Sequence, residues 1–131
     1  AKVGKHPFYQ SIALLAPERL PGQGGAGAVL RVWMVGLRNT EQGSSNFVKG
    51  ENRADLFELT FPEASLGAWG PAARVEVRRK GEHTFKFGRR DGNFSAGGGV
   101  DVEPDGRIAV YAAHHWRDER GVPLSFSRSG A

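Results

Sequence analysis

The sequence has no cysteine in its 131 residues, which excludes disulfide bridges, thiolate metal sites and thiol catalysis. It also has no apolar run approaching the roughly 20 residues of a membrane-spanning helix. Residues 1–5 lack the features of a signal peptide, so a mature secreted protein, an excised domain and a cytoplasmic protein all stay open. Helical periodicity is missing too, except for a short stretch at residues 63–66. We therefore expect a soluble chain without long helices.

Short apolar or alternating segments take the place of helices, and 19 glycines and seven prolines separate them. Eight segments have strand character: residues 8–15, 28–37, 55–61, 74–78, 83–87, 100–103, 107–116 and 124–127. Strands at this spacing are typical of a sandwich or a small barrel. We predict an all-β fold, a single-domain antiparallel β-sandwich of about eight strands over residues 1–131.

Two pairs of these segments have the spacing of hairpins. Residues 74–78 and 83–87 are joined by a predicted turn at residues 79–82, and residues 100–103 and 107–116 by the Pro-Asp-Gly turn at 104–106. Residues 28–37 are apolar on both faces, as expected for a central strand covered on both sides. Alternation within the strands predicts that the core contains Trp33, Phe57, Leu59, Val75, Val77, Phe85 and Val110.

The charge is mildly basic, with a net value of +4 and a pI near 9.9. This balance allows weak attraction to phosphate, sulfate or anionic lipid, but it argues against a dedicated nucleic-acid binder. Arg74, Arg78 and Lys86 share the solvent face of the first predicted hairpin. They form either an anion-binding strip or simply the solvated face of a sheet.

Three motifs bear on catalysis or on metal and cofactor binding. Residues 22–27 fit G-x-G-x-x-G, but a strand follows instead of a helix, so we interpret them as a loop. Residues 101–106 resemble the acidic start of a calcium loop, yet Ala112 stands where the bidentate Glu is needed. His114 and His115 are consecutive on a strand and therefore point to opposite faces. We predict no metal, no cofactor and no catalytic set.

Loops carry the remaining candidate binding residues. Residues 40–53 form a long polar connection, and residues 88–99 are rich in glycine. Asn93 opens a glycosylation sequon, and Trp69 and Trp116 lie near loops, where an indole can stack on a sugar or enter an interface. The predicted ligand-binding residues are Arg74, Arg78, Lys86, Asn93, Trp69, His115 and Trp116.

Short motifs between residues 24 and 81 suggest a family relationship. A Gly-Ala-Gly at 25–27 precedes a strand, Asn-Phe-Val-Lys-Gly at 46–50 precedes residues 55–57, and Leu-Gly at 66–67 leads into residues 74–78. This order resembles the lipoxygenase-homology (PLAT) relatives of the C2 β-sandwich. The resemblance implies an eight-stranded sandwich with binding loops at one end, and it does not imply a ligand.

These observations favour a non-catalytic binding or accessory module, extracellular or at the cell surface, that recognises a glycan, an anionic lipid surface or a partner protein. The alternative is a small hydrolase or metal-dependent enzyme built around His114 and His115, with Asp118 and Asp101 nearby. A structural component of an assembly is a third reading, since sandwiches often serve as building blocks.

Overall fold

The computed structural model describes residues 9–24, 27–39, 51–67, 74–97 and 99–129. Over these residues the chain forms nine strands: β1 Tyr9–Leu14, β2 Glu18–Leu20, β3 Val29–Asn39, β4 Asn52–Pro62, β5 Glu76–Phe85, β6 Phe94–Ser95, β7 Val100–Val102, β8 Ile108–His114 and β9 Val122–Phe126. The one helical element in these ranges is a single 3₁₀ segment, Glu63–Gly67. The predicted all-β fold is confirmed.

Two antiparallel sheets make up the fold. In the first, β1 and β2 pair with one side of β3, β4 pairs with its other side, and β5 pairs with β4. In the second, β8 pairs with β6, β7 and β9. The Pro-Asp-Gly hairpin between β7 and β8 is confirmed: Gly106 has a φ of 90°, and its N–H donates to the Glu103 carbonyl at 2.8 Å.

A single hydrophobic cluster joins the two sheets face to face. It contains Trp33, Val35, Leu37, Ala54, Leu56, Phe85 and Phe87, together with Phe94, Ala96, Ile108, Val110, Ala112 and Phe126. Hydrogen bonds also connect the layers: the Ala96 N–H donates to Ser11 Oγ at 3.0 Å, and His83 Nε2 donates to the Ser125 carbonyl at 2.6 Å. The architecture is that of a β-sandwich.

The predicted core is correct for Trp33, Phe85 and Val110, which are buried. It is wrong for Val75 and Val77, which are 51% and 58% exposed, and Phe57 and Leu59 are only half-buried. The alternation in β4 pointed to the wrong side, because Phe57, Leu59 and Phe61 are the more apolar set and Leu56 alternates with the polar Glu58 and Thr60. The structure places Ala54 and Leu56 on the core side.

The first predicted hairpin is also wrong. Residues 76–85 form one continuous strand that pairs with β4 from Thr60 to Asn52. The turn-like residues 79–82 are accommodated by a bulge, because Leu56 pairs with Gly81 and Phe57 with Arg79. At Gly81 a Cβ would lie 3.0 Å from the Phe126 ring. The glycine therefore allows close packing between the sheets, and it does not mark a reversal of the chain.

Candidate functional site

The first sheet has an apolar outer face, turned away from the second sheet. Cross-strand register gives its rows: Leu14 lies beside Met34 and Met34 beside Phe57; Val32 lies beside Leu59 and Leu59 beside Val77; Leu30 lies beside Phe61. Ile12 extends the face along β1, next to Gly36. We call this set the outer apolar face: Ile12, Leu14, Leu30, Val32, Met34, Phe57, Leu59, Phe61 and Val77.

The side chains at the two edges of this face are strongly exposed, with Ile12 at 54%, Leu14 at 60% and Val77 at 58%. Those on β3 and β4 are half-buried, because bulky side chains on adjacent strands shield one another from the side. The result is a continuous apolar surface that crosses the sheet from β1 to β5. Contiguous exposed apolar patches of this kind mark interaction sites more often than isolated apolar residues do.

A buried carboxylate closes one end of this face. Asp55 is fully buried and accepts three hydrogen bonds: from the Tyr9 hydroxyl at 2.6 Å, from Arg38 Nε at 2.8 Å and from Arg79 Nη2 at 2.8 Å. The cost of burying the carboxylate is offset by these charged and polar donors.

The surrounding charges form what we call the ion-pair border. Glu82 contacts Arg38 at 3.2 Å, Arg53 at 2.7 Å and Arg79 at 3.0 Å, and Arg53 also contacts Glu51 at 3.4 Å. The border thus comprises three arginines and three carboxylates: Arg38, Arg53, Arg79, Glu51, Asp55 and Glu82. Within the described residues its charges balance.

Tyr9 connects the border to the outer apolar face. A Cβ at Gly36 would lie 2.5 Å from Tyr9 Cδ1, so only glycine leaves room for the ring there. The same ring makes an edge contact with Phe57 at 5.9 Å between centroids. Burial, followed by the hydrogen bond to Asp55 and the charge of that carboxylate, raises the pKa of Tyr9 to about 12. The phenol is therefore a hydrogen-bond donor at neutral pH.

The pKa of Asp55 moves the other way. Burial by itself raises it, but the hydrogen bonds from Arg38 and Tyr9 and the charges of Arg38 and Arg79 outweigh that effect and hold the pKa below its ordinary value. Asp55 is ionised at neutral pH and serves as the fixed anion of the border. Among the described residues each border arginine is paired with at least one carboxylate, which is the arrangement of a structural ion-pair network.

The predicted basic strip is not assembled as a hairpin face. Arg74 precedes β5 and Arg78 lies near its start, where it pairs with Glu76 at 3.4 Å. Lys86 follows the end of the same strand. Because a strand rises about 3.3 Å per residue, Arg78 and Lys86 are roughly 25 Å apart along it. Trp69 lies outside the described residues.

Three of the predicted binding residues do come together at the end of β8. The His115 N–H donates to the Asn93 carbonyl at 2.7 Å, and the His115 and Trp116 rings meet edge to face at 5.4 Å. Trp116 is 40% exposed, but the Arg89 guanidinium lies over its ring at 4.4 Å. One face of the indole is therefore already occupied by the protein's own cation.

His114 is engaged with its immediate neighbours and lies far from Asp101, one of its two acidic candidates. His114 Nδ1 accepts the Trp116 N–H at 3.0 Å, and its ring packs against Phe87 at 4.8 Å. Asp101 pairs with Ala109, five positions before His114 on β8 and thus roughly 17 Å away along the strand. Across the described ranges, no group of three or more His, Asp or Glu side chains is arranged to hold a metal ion.

The acidic hairpin uses its carboxylates locally. Asp101 Oδ1 accepts the Val102 N–H at 2.8 Å and Asp105 Oδ1 accepts the Arg107 N–H at 3.1 Å. Glu103 Oε1 accepts the Ser125 hydroxyl at 2.7 Å. These bonds shape the β7–β8 turn and tie it to β9.

Comparison with known proteins adds no relative. The sequence matches no family model, and neither a curated protein nor a solved structure matches it. In the part of the chain that the structure describes, no helix has the length and apolar character needed to cross a membrane.

Proposed function

We propose that this domain is a non-catalytic binding module that docks a partner protein through the outer apolar face. One observation carries the proposal: apolar side chains on four neighbouring strands form a continuous surface on the side of the first sheet opposite the core. A sheet normally pairs an apolar inner face with a polar outer one. Apolar residues on both faces indicate that both are meant to be covered.

The chemistry of the border favours a protein over an anionic lipid surface. Attraction to anionic lipid depends on unpaired Lys or Arg beside the apolar contact. Here Arg38, Arg53 and Arg79 are each engaged with carboxylates. A glycan is a poorer fit to this face than a protein. Sugar sites combine an aromatic platform with polar groups that point at the ligand, whereas the polar groups beside this face bond to one another.

The enzyme alternative built on His114 and His115 has less support. His114 is engaged with the backbone of Trp116 and the ring of Phe87. Asp101 lies on β7 opposite Ala109, far from His114, and its carboxylate accepts a backbone N–H. Binding therefore accounts for more of the observed geometry than catalysis does.

Site-specific photo-crosslinking tests the proposal. A benzoylphenylalanine placed at Val77, on the face, is compared with one at Val102, which is exposed to 41% on the second sheet. We expect protein adducts in a lysate of the producing cells at position 77 and not at 102. The adduct should be lost when Ile12→Glu is added on the other side of the face, and the protein identified by mass spectrometry should bind the purified domain.

Equal labelling at the two positions would overturn the proposal. So would purified domain that binds anionic vesicles in an Ile12-dependent manner while giving no protein adduct at position 77.

A further inference from the structure

We infer that the partner that fits the outer apolar face is a second copy of this chain, packed sheet against sheet in a two-fold symmetric dimer. The inference rests on the proposed function and names its partner. Three properties of the face support it: its shape, its size and the balance of charge at its limits.

The first argument is shape. The rows Leu14–Met34–Phe57 and Val32–Leu59–Val77 run across neighbouring strands of one antiparallel sheet. Two such faces pack about 10 Å apart with their strands within about 30° of each other, and their side chains interdigitate. A second copy supplies a face of the same width, length and twist. The two faces would then meet as the two layers of a sandwich do.

The second argument is size. The face spans four strands spaced about 4.8 Å apart and extends over about six residues of roughly 3.3 Å each, so it measures roughly 20 Å by 20 Å. Two copies that also bring their border residues together would bury on the order of 1,000 Å² in total, which is at the lower limit for specific interfaces. We therefore expect a reversible dimer that depends on protein concentration.

The third argument is charge. Identical copies oppose any net charge on a shared face with the same charge, and this repulsion prevents many apolar faces from self-associating. In the described residues the ion-pair border is balanced, and the opposite end of the face is bounded by the ion pair of Arg19 with Glu63. Either relative orientation of two copies therefore brings balanced groups together. A two-fold dimer of this kind is isologous and closes on itself.

Sedimentation equilibrium of the purified chain tests the inference. For the wild type, we expect the weight-average mass to rise from 14.2 kDa toward twice that value as the concentration increases from about 1 μM to about 500 μM. Val77→Glu should weaken dimerisation at least tenfold, because each dimer would bury two unpaired carboxylates. Val102→Glu, the same change at an exposed valine of the second sheet, should leave it unchanged. Circular dichroism and melting confirm that both variants fold.

A second measurement locates the contact. Since the chain has no cysteine, Leu59→Cys introduces a single thiol at the centre of the face. A short bismaleimide should link two Leu59→Cys chains much faster than two Val102→Cys chains.

The outcomes separate this inference from the proposed function. A wild type that stays at 14.2 kDa at the highest concentration, or a dimer that Val77→Glu leaves intact, overturns self-association. If position 77 still crosslinks to a different protein, the docking function stands with another partner. If position 77 gives no specific adduct either, both proposals fail.

Discussion

The Tyr9 hydroxyl donates a 2.6 Å hydrogen bond to Asp55, a residue 46 positions further along the chain. The same side chain lies over Gly36, where a Cβ would clash with it, and contacts Phe57 at the margin of the outer apolar face. One tyrosine therefore links the first strand to the buried carboxylate of β4. It also marks where the charged part of the sheet ends and the apolar part begins.

Asp55→Asn should destabilise the protein by about 3 kcal/mol, because it leaves Arg38 and Arg79 without the buried anion that they share. Chemical denaturation measures the change. Glu76→Gln, which breaks an exposed pair with Arg78, should change the free energy of unfolding by no more than about 0.5 kcal/mol. If the two variants lose similar amounts of unfolding free energy, the buried ion pairs of Asp55 stabilise the protein no more than an exposed pair does.

The same residue predicts a pH dependence. The folded pKa of Asp55 lies below its ordinary value, so its contribution is present above the unfolded pKa of about 4 and is lost as the pH falls through the folded value. The difference in unfolding free energy between wild type and Asp55→Asn should therefore shrink as the pH falls below about 4. If that difference stays constant from neutral pH down to the lowest accessible pH, the pKa of Asp55 is not lowered in the folded protein.

Tyr9 gives a prediction at the alkaline end. Its pKa is raised to about 12, whereas an unfolded tyrosine titrates near 10. The neutral phenol thus adds stability that is complete below about pH 10 and is lost as the pH rises toward 12. Because the chain has two tyrosines, phenolate absorbance in Tyr111→Phe reports on Tyr9 alone. A midpoint near 10 in the folded protein would refute the buried hydrogen bond.

Gly36→Ala should cost roughly 1–3 kcal/mol, because its Cβ displaces the Tyr9 ring and disturbs the bond to Asp55. Gly27→Ala is the matched control, since nothing lies within 4 Å of a Cβ there. In a Tyr9→Ala background the Gly36→Ala penalty should largely vanish, and a double-mutant cycle measures this coupling. Additive penalties would mean that the ring does not rest on the glycine.

Two leucines of β4 test which face is the core. Leu56→Ala should cost about 2–5 kcal/mol, since Leu56 is fully buried between the sheets. Leu59→Ala, measured at concentrations low enough to exclude association, should cost clearly less, because Leu59 is only half-buried. The reverse order would place the core on the other side of the sheet.

Chelator treatment should leave the melting temperature unchanged. The carboxylates of Asp101, Glu103 and Asp105 already bond to groups of the hairpin and β9. A site filled at a hundred times its dissociation constant would add about 2.7 kcal/mol to stability. A drop of several degrees that calcium or zinc restores would therefore reveal a metal site.

Local signals in the sequence determined much of the strand map. The Pro-Asp-Gly turn fixed the β7–β8 hairpin, because its preferred backbone matches the reversal whatever surrounds it. The long apolar segments became β3 and β4 for a similar reason, since β-branched and aromatic residues suit a pleated strand. The sequence did not predict β2 and β6. These strands have two or three residues, lack any such pattern of their own and exist only through pairing with β3 and β8.

Tertiary structure decided which face of each strand is covered. The period of two favoured the set of Leu59, which alternates with Phe57 and Phe61. The second sheet nevertheless covers Leu56 and leaves Leu59 on the outer face. Lys80 and Gly81 have the residue types of a turn, yet the chain continues through them as a strand. Pairing with β4 accommodates the extra residue as a bulge, and Gly81 packs against Phe126. The outer apolar face emerged in the same way, because Phe57, Leu59 and Val77, which the sequence assigned to the core, lie on the side that the second sheet leaves uncovered.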